Sequence, residues 1–170
     1  MGATGFLVTG EVARRVFPTL NQLFLTHLAV LLKSGEAQQI TGATFLAAGS
    51  LITLVLFSTE IAALALMFLA LGDPVAALVG SRFGRLRTSS FFSFGQARRQ
   101  SKSLEGTLAF LAVALGLVAV FWGAKVFDNY WPAVLGAVVA AVVESLPLPI
   151  DDNFSVPLAS AVVMSLIWVG

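Results

Sequence analysis

The chain contains no cysteine, a single histidine, and few charges, with 11% of its 170 residues being Asp, Glu, Lys or Arg. Without cysteine there are no disulfides, no thiolate nucleophile and no cysteine-held zinc. His27 has no second imidazole to share a metal with, so any metal must be held by oxygen. The pattern GxxxxGK[ST] is missing, which excludes a P-loop nucleotide site. The opening MGATGFLVTGEVARR places no basic segment ahead of an apolar core, so a cleaved signal peptide is not expected. Hydrocarbon takes the place of these groups: 58% of the residues are hydrophobic and the mean hydropathy is +0.92. Such a chain is too apolar for a soluble domain. Residues 1–170 therefore read as one integral membrane domain, an all-α polytopic helix bundle with about five transmembrane helices.

Ahead of those spans, Val16 to Leu32 carries Val16, Leu20, Phe24, Leu28 and Leu31 at helical spacing between Arg14/Arg15 and Lys33. This N-terminal helix could span, but the stripe and its charged ends favour a place at the interface. Thr41 to Thr59 is the first uncharged span, and Ile61 to Gly80 is the second. Gly106 to Ala124, Trp131 to Ser145 and Phe154 to Gly170 follow. The small-residue pairs Ala112/Gly116 and Gly136/Ala140 are expected to face neighbouring helices.

The second span contains an anomaly, Asp73, in the sequence LGDPVAALVG. A carboxylate deep in hydrocarbon costs about 3 kcal/mol or more unless something compensates it. Gly72 loosens the helix and Pro74 suits the first turn of a new one, so a helix broken at Gly72-Asp73-Pro74 with Asp73 as N-cap is expected.

Six of the ten basic residues (Arg82, Arg85, Arg87, Arg98, Arg99 and Lys102) lie in the one long hydrophilic connection, 81–103. The positive-inside rule makes this a cytoplasmic basic loop. Its FFSF reads as dipping into the headgroups rather than stacking on a base, and no nucleic-acid partner is expected.

This orientation brings Asp73, Lys102, Glu105, Glu144 and the Asp151-Asp152-Asn153 cluster to one membrane face. Helix starts after Asp73, at Ser103 and around Asn153 to Pro157 are expected there too, each offering N–H groups suited to phosphate. Carboxylates, a lysine and helix N-termini together suggest a Mg²⁺–polyphosphate site at the cytoplasmic face. A small transporter, which also buries acids beside broken helices, is the reading from a different class. Against it, the acids gather at one face and no internal repeat is evident.

The spaced set LGDPVAALVGSRFG, KSLEGTLAF, Glu144 and DDNFSVPL resembles the CTP-dependent lipid-alcohol kinases. That family includes dolichol kinase, phytol kinase and the fungal CTP-dependent diacylglycerol kinase, and it is related to phosphatidate cytidylyltransferases. The likeness runs from about Glu11 to the last span. It departs from the pattern at Arg14-Arg15, which Phe17-Pro18 follows where many relatives have a histidine.

The resemblance implies CTP as phosphoryl donor, Mg²⁺ dependence and a lipid alcohol of the diacylglycerol, polyprenol or phytol type as acceptor. A related cytidylyltransferase activity is the alternative. Carried onto this sequence, it implies catalytic roles for Asp73, Lys102, Glu144 and Asp152, with Asp73, Glu144 and Asp152 at the metal. Gly72, Lys102, Ser103, Glu105, Gly106 and Asn153 would contact the nucleotide; apart from the resemblance, Arg98 and Arg99 are expected to add positive charge from the loop. The partners expected are CTP, the acceptor lipid and the bilayer, with a homodimer left open.

Overall fold

A computed structural model describes residues 42–86, 102–148 and 150–168. The segment expected as the first helix, Val16 to Leu32, and the basic pair Arg98-Arg99 lie outside those residues. The described elements are five helices: α1 (Gly42–Leu56), α2 (Thr59–Phe83), α3 (Leu104–Gly123), α4 (Trp131–Ser145) and α5 (Asp152–Ile167). The all-helical expectation holds, and α4 has the boundaries the sequence suggested.

Two helices, α2 with 25 residues and α3 with 20, are long and apolar enough to cross a membrane. At 1.5 Å per residue they reach about 38 and 30 Å, against a hydrocarbon core of about 30 Å. The other three are apolar but shorter, about 22–24 Å. The sequence explains where α4 stops, since Pro147 follows closely and disfavours helical geometry in the residue before it. It also explains the start of α4, where Pro132 sits in the first turn and Asn129 Oδ1 accepts from the Trp131 amide at 3.1 Å.

α2 is the hub. Its buried positions Ile61, Leu64, Ala65, Phe68, Gly72 and Ala76 recur at helical spacing, and the helix packs against all four others. Phe110, Ala114 and Val118 of α3 join this core, with Ala133, Ala137 and Ala140 of α4 and Val156 and Met164 of α5. Close approach is bought with glycine at two crossings. A methyl group on Gly72 would stand 2.7 Å from the Phe110 ring, and one on Gly106 would stand 2.8 Å from the Ala76 carbonyl oxygen. Of the two small-residue pairs, Gly136 and Ala140 are buried. Ala112 and Gly116 instead face outward, with nothing within 4 Å of where a Gly116 side chain would begin. α3 turns its Phe110–Ala114–Val118 stripe to the core, and that leaves the Ala112/Gly116 stripe on its other side.

The break expected at Gly72-Asp73-Pro74 is not present. α2 runs through all three residues with Pro74 inside it, so Asp73 is an interior residue and caps nothing. Proline removes one intrahelical hydrogen bond, a loss that a long apolar helix packed on several neighbours tolerates.

Candidate active site

The end of α2, the starts of α3 and α5 and the end of α4 meet at one end of the bundle. Local sequence makes the two helix starts. Ser103 is the N-cap of α3, its hydroxyl accepting from the Gly106 amide at 3.1 Å. Asp151 is the N-cap of α5, its carboxylate accepting from the Asn153 amide at 3.0 Å. The α5 helix therefore begins slightly ahead of the expected Asn153–Pro157 start, and two helix starts converge on this end where a third had been expected at Pro74.

Lys102 precedes the Ser103 cap and reaches across to α4 and α5. Its Nζ lies 2.7 Å from Asp152 Oδ2 and 3.2 Å from Glu144 Oε1, and it donates to the Glu144 carbonyl oxygen as well. A lysine at the C-terminal end of α4 is also favourably placed for that helix's dipole. The Glu144 side chain is only 6% exposed, whereas Asp152 is 31% exposed. Asp73 is half-buried and near enough for its charge to act on both Glu144 and Asp152. The four residues expected to carry the chemistry are thus brought to one place from α2, the start of α3, the end of α4 and the start of α5.

The supporting residues divide. Gly72 and Gly106 act as backbone-approach positions, as the α2–α3 crossing shows. Ser103 is buried, and its hydroxyl would lie 3.0 Å from a methyl group placed on Gly80. Asn153 Nδ2 donates to the Gly42 carbonyl at 3.3 Å, tying α5 to α1. Glu105, expected among the nucleotide contacts, makes a backbone contact that the expectation did not include. Its Oε1 accepts from the Arg85 amide at 2.9 Å and the Leu86 amide at 3.3 Å, while the Leu104 amide donates back to the Leu86 carbonyl at 2.9 Å. The two ends of the basic connection are thereby fastened side by side at the mouth of the site. A signal was present in the sequence: an acid in the first turn of α3, directly following a long loop that needed closing.

The donor chemistry here is oxygen only. Glu144 Oε2 is buried and has no hydrogen-bond partner, and one ammonium faces the carboxylates of Glu144 and Asp152. Among the described residues no three such side chains gather tightly enough to hold an ion alone. That arrangement fits Mg²⁺, which keeps several waters and takes one or two carboxylates plus substrate phosphates.

The described residues thus form an apolar helix bundle with an acid-and-lysine cluster at one end. The chain is 25% identical to CTP-dependent diacylglycerol kinase 1 of Schizosaccharomyces pombe, covering 94% of this chain and 75% of that protein. Against the Saccharomyces cerevisiae protein of the same name it is again 25% identical, covering 92% and 59%. Against the phytol kinase of Synechocystis it is 36% identical, covering 64% and 46%. The homologues are thus CTP-dependent diacylglycerol kinases and phytol kinases, which match the CTP-dependent lipid-alcohol kinase family that the motifs resemble. This chain spans between about half and three quarters of their length. No family model matches it, and no solved structure is similar.

Proposed function

We propose that the protein is a lipid kinase that transfers the γ-phosphoryl group of CTP to a primary alcohol of a membrane lipid. The observation that carries the reading is the Lys102 ammonium bridging Glu144 and Asp152, with Asp73 alongside, at the end of the bundle where α3 and α5 begin. The relatives' names supply the donor and the class of acceptor.

In the reaction the acceptor oxygen forms a bond to the γ-phosphorus as the bond to the bridging β–γ oxygen breaks. CDP leaves, and the hydroxyl proton passes to a carboxylate or to water. Such a transfer depends on positioning and charge neutralisation. Lys102 exchanges part of its carboxylate contact for phosphate oxygens, and the positive ends of the α3 and α5 dipoles favour anionic oxygens there as well. Asp73 is held at the flank of the site by an unbroken α2. Glu144 Oε2, Asp73 and the more exposed Asp152 would hold Mg²⁺, which supplies charge neutralisation for the triphosphate when bound. Arg98 and Arg99 would add positive charge from the loop, and the positive-inside rule puts this end of the bundle at the cytoplasmic face. The outward-facing Leu54, Val55, Leu78, Leu108 and Leu166 suit a bilayer surround.

Purified protein given CTP, Mg²⁺ and, separately, diacylglycerol, polyprenol and phytol should release CDP with at least one of them. Release of pyrophosphate would mean cytidylyl transfer instead. Equal or better use of ATP would count against the assignment.

A further inference from the structure

The seam between α3 and α4 has two unlike ends. At one, Lys102 joins the start of α3 to the end of α4 through Glu144. At the other, Leu115, Val118, Ala119 and Trp122 of α3 and Tyr130 and Val134 beside them line a cavity of about 260 Å³. Trp122 and Tyr130 meet there with tilted rings, their centroids 5.3 Å apart, and the Tyr130 and Trp131 ring centroids are 4.9 Å apart. From Leu108 to Trp122, and from Trp131 to Val143, neither helix carries a polar side chain. Between the charged cluster and the aromatic pair both helices thus present apolar stretches.

We infer that this seam holds the acceptor's hydrocarbon chain, with the hydroxyl at the Lys102 end and the chain's far end in the Trp122–Tyr130 cavity, and that the cavity selects acceptors by chain length. The inference rests on the kinase reading for its head group, and it adds the feature that distinguishes one lipid alcohol from another. Apart from the Tyr130 hydroxyl and the Trp122 indole N–H the lining is hydrocarbon, so recognition is chiefly by length and volume. At 260 Å³ the space is below the roughly 300–1,000 Å³ of a site for a whole drug-sized ligand, and it suits the end of a chain. Leu115 lies about 16 Å along α3 from Leu104 and Trp122 about 27 Å. An extended chain advances about 1.2 Å per bond. Those distances correspond to a chain of about 14–22 bonds. Shorter alcohols leave the cavity unfilled, and longer ones run past the tilted rings.

Ala119→Phe fills the cavity, while Val120→Phe, on the outward side at 64% exposure, is the control. With saturated and isoprenoid alcohols of about 10 to 24 carbons, wild-type kcat/KM should climb until the chain reaches the cavity. Ala119→Phe should lower kcat/KM about tenfold for the long acceptors and leave the short ones unchanged, whereas Val120→Phe should match wild type. An equal loss at every chain length, or the same profile in Val120→Phe, would overturn the inference. If wild type phosphorylates no alcohol, the kinase reading fails, and the seam is judged by fluorescence in nanodiscs. An alcohol brominated at its chain end should quench Trp122 saturably when about 14–22 bonds long. That quenching should disappear in Trp122→Phe and in Ala119→Phe. Quenching that ignores chain length or persists in Ala119→Phe, as from a bulk lipid chain, sinks it.

Discussion

The Lys102 ammonium lies 2.7 Å from the Asp152 carboxylate, fifty residues further along the chain, and the same nitrogen holds the buried Glu144. A lysine beside the N-cap of one helix thereby ties together the end of a second and the start of a third.

Removing that lysine should separate stability from catalysis. Lys102→Met leaves a nearly buried carboxylate uncompensated, a loss of about 3–5 kcal/mol for a fully buried pair and less here because Lys102 and Asp152 are partly exposed. CTP turnover should fall about a hundredfold or more. Adding Glu144→Gln to Lys102→Met should recover most of the melting temperature in detergent and none of the turnover. Recovery of turnover in the double variant would make Lys102 a purely structural residue.

Asp73→Asn is close to isosteric. Because Asp73 sits inside a continuous helix and caps nothing, thermal stability should stay within about 0.5 kcal/mol. Turnover should drop by orders of magnitude, and the Mg²⁺ concentration needed for half-maximal rate should rise. Glu60→Gln is the control, since Glu60 lines a cavity with Asp128, Asn129 and Trp168 at the other end of the bundle and should be silent. Wild-type turnover in Asp73→Asn would remove the residue from the mechanism.

The clasp made by Glu105 should be visible in hydrogen exchange. Its carboxylate accepts from the Arg85 and Leu86 amides, so both should exchange faster in Glu105→Ala. KM for CTP should rise more than kcat falls, because the variant loosens the mouth of the site without touching the reacting groups. Unchanged protection at Arg85 and Leu86 would refute the clasp.

Glycine at the α2–α3 crossing makes a prediction with a built-in rescue. Gly72→Ala drives a methyl group into the Phe110 ring and should cost about 1–3 kcal/mol. Phe110→Leu in the same chain should restore part of it. Gly106→Ala meets the Ala76 carbonyl oxygen instead, a backbone atom that cannot be trimmed, so no side-chain change should rescue it.

The natural absence of cysteine allows orientation to be read directly. Cysteine placed at Asn129 should be labelled on intact cells by a membrane-impermeant reagent, and cysteine at Gln96 should be protected. The reverse pattern would put the site on the other side of the membrane.

Composition and hydrophobic runs were enough to give an all-helical apolar bundle, because burying or solvating that much hydrocarbon leaves few alternatives. Local chemistry was legible for the same reason: a Ser three residues ahead of Gly106 caps a helix using only its neighbours. Membrane orientation gathered Asp73, Lys102, Glu144 and Asp152 at one face, and the family resemblance marked them as a set. What the sequence misjudged was Asp73-Pro74. Local propensity favours a break there, but the packing of α2 against four helices outweighs one missing hydrogen bond. Two features belonged to tertiary structure alone: which acid Lys102 binds, and the clasp of Glu105 on Arg85 and Leu86. Both join residues about 20 to 50 positions apart, and only the mutual crossing of α2, α3, α4 and α5 sets such distances.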